Sequence, residues 1–154
     1  LSDKWHDRFL RLAHEVASWS KDRSTQVGAV LIRDDRTPIT FAYNGFPRNI
    51  DDMVEERHER PTKYQWTSHA EENAICNAAR MGASTHGSTL YVTHYPCCGC
   101  ARKIIQAGIS RVVVDGATMD GPFMERWEAD IKTSDTMFEE AGVSVVVATH
   151  AKTD

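Results

Sequence analysis

The chain has 154 residues, 41% of them apolar and 26% charged, with a formal net charge of −4. That length suits one domain with a sizeable core, expected over residues 1–154. The absence of any run of eighteen apolar residues excludes a membrane-spanning helix, and the acidic balance argues against a surface that grips long nucleic acid through its phosphates. The opening LSDKWHDRFL lacks a secretory apolar run, so the expected location is the cytoplasm.

Along the chain, Trp5, Phe9, Leu12, Val16 and Trp19 recur at spacings of four and three and predict a first helix with one apolar face. SKDRST breaks the pattern. QVGAVLIRD and TPITFAYNG then read as two strands joined by the polar turn Asp34-Asp35-Arg36. Residues 46–67 show little periodicity, and a stretch of that length inside a domain reads as a lid or effector-binding loop. Ser68 to Met81 predicts a second helix with Gly82 in its C′ position. STLYVTH is a third strand, Cys98 to Ala107 a third helix closed by Gly108, and RVVVDG a fourth strand. Helical stretches around residues 123–127 and 137–141 precede a fifth strand, VSVVVAT. The apolar runs RVVV and VSVVVA fit strands buried on both faces. This order predicts an α/β fold, a three-layer α/β/α sandwich around a five-stranded mixed sheet. Sites in such sheets gather at the carboxyl ends of strands, where helices begin.

The four cysteines stand at 76, 97, 98 and 100, a poor disulfide framework and a better metal or redox cluster. Cys97 and Cys100 open a helix just after a strand. Their spacing lets both sulfurs face one ion, and the positive helix end favours thiolates. Taken alone, this C-x-x-C also fits thioredoxin-like redox chemistry. His69, at another helix start, offers a third ligand, and three protein ligands with an open fourth position are what a catalytic zinc needs. Glu71, two residues on, is better placed to move protons than to coordinate. The pairing of H-x-E with P-C-x-x-C, here His69-Ala70-Glu71 and Pro96-Cys97-Cys98-Gly99-Cys100, marks the zinc nucleobase deaminases. Cys98 reads as a small thiol in a first helical turn and Cys76 as a small buried core residue. His94 either lines a pocket or simply ends its strand.

Beyond these motifs, the chain resembles the deoxycytidylate (dCMP) deaminases of the cytidine deaminase superfamily. The resemblance lies in SKDRSTQVGAVLI, AYNGFPRN, SHAEENAI, LYVTHYPCCGCARKIIQAGI and EEAGVSVV. It implies one zinc ion held by His69, Cys97 and Cys100, and hydrolysis of dCMP to dUMP and ammonia with Glu71 moving the protons, in supply of deoxynucleotides for dTTP synthesis. It also implies that Asn44 bonds the sugar, although an Asn-Gly turn explains that residue locally. Val27 is a candidate wall for the base or an ordinary packing residue. Lys21 and Arg23 are candidates for the 5′-phosphate or solvated charges. Members of the family are commonly homohexamers, activated by dCTP and inhibited by dTTP with Mg²⁺ on the effector. Gly45, Phe46, Asn77 and Arg80 are the effector contacts this implies, with no membrane or nucleic-acid polymer as partner. Some relatives carry a second, structural zinc; Asp22 and the NIDD stretch stand where its ligands would be, so one zinc is expected here.

Other deaminases share part of this pattern. tRNA adenosine deaminases and polynucleotide cytidine deaminases would call for a more basic surface than −4 provides. Free cytidine deaminases typically place cysteine where His69 stands. Guanine and riboflavin-pathway deaminases fit the zinc motif alone, whereas the long 46–67 segment and YNG favour the nucleotide enzyme. A zinc-binding or nucleotide-sensing module without catalysis would have no need of Glu71.

Overall fold

The computed structural model describes residues 3–149; residues 1, 2 and 150–154 of the expected domain lie outside the described residues. Helix α1 (Lys4–Ala17) starts where the Asp3 carboxylate accepts the Trp5 N–H at 2.8 Å. Strands β1 (Gly28–Ile32) and β2 (Pro38–Tyr43) form an antiparallel hairpin. Its turn places Arg36 at φ 71° and is pinned by Asp35, which accepts the Thr37 N–H. After a long connection come α2 (Lys63–Trp66), α3 (Ala70–Met81), β3 (Thr89–Val92), α4 (Cys98–Gln106), β4 (Arg111–Asp115), α5 (Gly121–Ala141) and β5 (Ser144–Ala148).

The sheet order is β2-β1-β3-β4-β5, antiparallel across the first three strands and parallel from β3 to β5. It is therefore the mixed five-stranded sheet expected. Alternate residues sort to its two faces as strand geometry requires. Val30, Ile32, Tyr91 and Val113 meet Leu10 and Ala13 of α1. Ala29, Leu31, Leu90, Val92, Val112 and Val114 meet the layer built from α3, α4 and α5. Leu10, Ile104 and Phe138 are fully buried, each contributing about 1.5–3 kcal/mol by leaving water.

The structure corrects several expectations. The buried face of α1 is Leu10, Ala13, Val16 and Ala17, while Leu12 and Trp19 are exposed and Trp19 packs edge-on against Phe41 and Tyr43. Close approach decides this. A Cβ at Gly28 would lie 2.0 Å from the Ala13 carbonyl oxygen and 2.7 Å from the Ala17 nitrogen, so α1 lies on β1 through its small residues. The two helical stretches after β4 are one continuous helix, α5, with Ile131, Ser134 and Phe138 as its inward face. Strand β4 is buried almost throughout, but β5 is an edge strand whose Val147 is 54% exposed. Cys76 is exposed on α3 rather than part of the core.

The segment from 46 to 67 is tied down along its length. Gly45 and Ser68 exchange backbone hydrogen bonds at its base. Within it, Phe46 stacks on His58 and Arg57 donates to the Asp51 carbonyl. Lys21 and Arg23 reach over to Asp52 and Glu55.

Candidate active site

The carboxyl ends of β2, β3 and β4 and the start of β1 meet at one edge of the sheet, beside the starts of α3 and α4. His69 is the N-cap of α3 and Cys97 the N-cap of α4, each in extended backbone, so each side chain projects off a helix start. The Glu72 carboxylate accepts the His69 N–H at 2.8 Å and the Lys103 ammonium of α4 at 2.6 Å, tying the two helix starts together. His69 Nδ1 lies 3.4 Å from both Cys97 Sγ and Cys100 Sγ, and all three atoms lie within 4.8 Å of one another.

This donor set fits zinc. Tetrahedral Zn²⁺ with Zn–N of about 2.0 Å and Zn–S of about 2.3 Å separates its N and S donors by about 3.5 Å. Among the described residues it is the one His/Cys/Asp/Glu group of three or more so arranged. Asp22 joins no second group. It accepts the Ser24 and Thr25 N–H groups and pairs with Lys63 at 3.3 Å, in a contact where both side chains are largely buried. Burial works against the Asp22 carboxylate, but these partners hold its pKa below the ordinary value.

The three side chains shift one another's protonation. The Cys97 thiol is held down to about 4, first by the hydrogen bond from Cys100 and also by His69. The Cys100 thiol is pushed up by its bond to Cys97 and by burial. His69 is raised to about 9 by its hydrogen bond to Cys97. Such a set exchanges its protons for a cation on binding. Glu71, 4% exposed, follows His69 in the first turn of α3, and burial raises its pKa.

Around these groups lies an open cavity. Its walls include Val27, Tyr95, Phe123 and His94, the last edge-on to Phe123 with ring centroids 4.7 Å apart. Tyr64 of α2 and Trp127 of α5 meet edge-on at 6.0 Å. Asn44, buried, also lines the cavity. Its side-chain oxygen accepts the Val27 N–H and its amide donates to the Thr25 carbonyl, both at 2.9 Å, leaving one N–H and one lone pair.

Lys21 and Arg23 are not part of this lining; they border a second, open cavity, together with Gly45 and Phe46. Asn77 and Arg80 lie on α3 outside both linings, and Asn77 accepts a hydrogen bond from Arg48. The guanidinium groups that do line the first cavity are Arg60 and Arg126. Arg60 donates to the Ser24 hydroxyl and Arg126 to that of Thr25. Sequence reasoning missed both, because Arg60 sits in the aperiodic segment and Arg126, inside the first of the two helical stretches, reads as an ordinary solvated charge. The spacing of Phe123 and Trp127, one helical turn, was the available signal for a cavity-facing side of α5.

A helix-start His/Cys/Cys set beside a buried glutamate, on an α/β/α sandwich, offers a donor set for one zinc ion with an acid–base group at its side. The chain belongs to the cytidine and deoxycytidylate deaminase zinc-binding family, whose zinc-binding region matches residues 3–115. Over 142 residues it is 46% identical to an uncharacterized deaminase of Aliivibrio fischeri, covering 92% of each chain. It is 38% identical to the deoxycytidylate deaminase of Mus musculus over 115 residues, 71% of this chain and 64% of that one. The corresponding figures for a probable deoxycytidylate deaminase of Caenorhabditis elegans are 39% identity, 71% and 56%. The chain thus spans a little over half the length of these animal relatives. In fold it matches the crystal structure of dCMP deaminase from the cyanophage S-TIM5 in complex with dCMP and dUMP. The TM-score is 0.74 at 22% identity, covering 96% of this chain and 99% of that one. No helix among the described residues is long and apolar enough to cross a membrane.

Proposed function

We propose that the chain hydrolyses dCMP to dUMP and ammonia in the cavity bounded by His69, Glu71 and Cys97, in supply of deoxynucleotides for dTTP synthesis. One observation carries this reading: a buried glutamate beside a zinc donor set shares a cavity with two guanidinium groups, Arg60 and Arg126. His69, Cys97 and Cys100 would hold a Zn²⁺ ion, which would supply the Lewis acidity that makes water a nucleophile near pH 7. Glu71 moves the protons. Its carboxylate takes one from the water that attacks C4 and gives it to N3. It then passes the remaining hydroxyl proton to the amino group, which leaves as ammonia while C4 keeps the oxygen. Burial suits Glu71 to this work, since a group that holds a proton in mid-reaction needs a pKa nearer neutrality. Val27 and Phe123 wall the base off from water, and the remaining donor and lone pair of Asn44 face the sugar.

For the 5′-phosphate we assign Arg60 and Arg126 in place of Lys21 and Arg23. Lys21 and Arg23 are engaged with Asp52 and Glu55, whereas Arg60 and Arg126 have no carboxylate within ion-pair distance among the described residues. Their planar forks suit phosphate oxygens. Steady-state kinetics on dCMP and deoxycytidine, with wild type, Arg60→Ala and Arg126→Ala, test this assignment. Each variant should lose about 10-fold to 100-fold in kcat/KM on dCMP, the worth of a charge-assisted hydrogen bond, and nothing on the nucleoside. An equal loss on both substrates would sink the phosphate assignment.

The second cavity, at Gly45 and Phe46, is our site for dCTP as activator and dTTP as inhibitor, each with Mg²⁺. It shares Asp22, Asn44, Lys63 and Thr67 with the first cavity, which supports coupling between them. Asn77 and Arg80 fit such a role less directly. We further place the enzyme in the cytoplasm as a homohexamer, a reading supported by the exposed aromatic trio Trp19, Phe41 and Tyr43 on and beside the edge strand β2.

A further inference from the structure

We propose that Asp130 is a positioning residue for the metal centre: from α5 it grips the first turn of α4 and fixes the direction in which Cys97 presents its sulfur. The two oxygens of its carboxylate take two different donors of one residue. Oδ2 accepts the Cys98 backbone N–H at 2.7 Å, and Oδ1 accepts the Cys98 thiol at 2.8 Å. A single bond would leave the turn a pivot; two bonds from one rigid carboxylate fix its position and its rotation together. The Cys98 N–H is one of the donors left without an intrahelical partner at any helix start, and a carboxylate suits the positive charge there.

The same helix holds the other side of the ligand. Asp135, five residues further along α5, accepts the hydroxyl of the buried Tyr95 at 2.7 Å. Tyr95 and Cys98 bracket Cys97, so α5 anchors the β3–α4 turn on both flanks of the metal-binding sulfur. Cys98 is not one of the three converging donors; its thiol serves the carboxylate instead. Groups that orient metal ligands typically account for 10-fold to 100-fold in metal affinity. This inference rests on the metal assignment and is independent of the substrate.

The experiment follows zinc release from the loaded protein into a chromogenic chelator, with a thermal melt of each variant alongside. Asp130→Ala should release zinc about 10-fold to 100-fold faster than wild type. Cys98→Ala, which loses one of the two bonds, should fall between them, and Cys98→Ser, which keeps an O–H donor, should restore slow release. Ile32→Val controls for stability alone. It thins the core on the face of the sheet that α1 covers, away from α4 and α5, and should lower the melting temperature without speeding release. Wild-type release from Asp130→Ala, or equal acceleration in Ile32→Val, would overturn the proposal. A wild-type chain that retains no zinc would be a distinct result, overturning the metal assignment and this inference with it.

Discussion

At Glu71 and His94 the same physical cause, loss of water, favours the uncharged form of an acid and of a base. Burial, with a smaller effect from His14, pushes the His94 pKa down to about 4, so the ring is neutral at pH 7. Its Nδ1 meets the Thr93 hydroxyl at 2.8 Å. The consequence for stability has a definite sign. The folded pKa lies below the ordinary value of about 6.5, so the unfolded chain binds the proton more readily between these limits. Stability held in the neutral ring is present above pH 6.5 and is lost as pH falls towards 4. Urea unfolding of wild type and His94→Asn at pH 7 and pH 5 should show a smaller acid loss in the variant, because other groups cancel in the comparison. Identical losses would show that burial of His94 carries no such linkage.

Among the elements, the seating of α1 on β1 is the sharpest case of a contact dictated by small residues. Gly28→Ala would drive a methyl group to within 2.0 Å of the Ala13 carbonyl oxygen, backbone against backbone, where no rotamer offers relief. A loss of about 3 kcal/mol or more in urea unfolding is expected, at or beyond the upper end of ordinary overpacking; a loss under about 0.5 kcal/mol, typical of surface changes, would show that α1 can lift without cost. This contact also explains where the sequence misled. Large apolar residues draw the eye to Trp5, Leu12 and Trp19, but the helix buries Ala13 and Ala17, which carry no hydropathic emphasis. The parallel run of the strands in the second half was legible because β-branched runs alternate with helices. The unity of α5 was not, because its middle, EADIKTSDT, turns carboxylates and a buried Ser134 inward to polar partners. The same concealment hid Asp130: a polar residue that serves another polar residue leaves no periodic mark.

For the molecule as a whole, the convergence of His69, Cys97 and Cys100 was readable because their chemistry restricts residue type and spacing at once. The surroundings of the trio were not, since Arg60, Lys63 and Arg126 converge only after the 46–67 segment folds back on the SKDRST loop. That fold-back also makes Asp22 and Lys63 the shared wall of two cavities. The central claim is that this wall and the helix starts beneath it enclose a dCMP deaminase whose proton carrier is Glu71. It is tested most directly by following the loss of cytosine absorbance when dCMP meets zinc-loaded wild type or zinc-loaded Glu71→Gln. We predict steady turnover by wild type, with one ammonia released per dCMP consumed. Glu71→Gln should retain its zinc and turn over about 10²-fold to 10⁴-fold more slowly, the usual worth of a positioned acid–base group. Absence of turnover in the wild type, or undiminished turnover in the variant, would contradict the account.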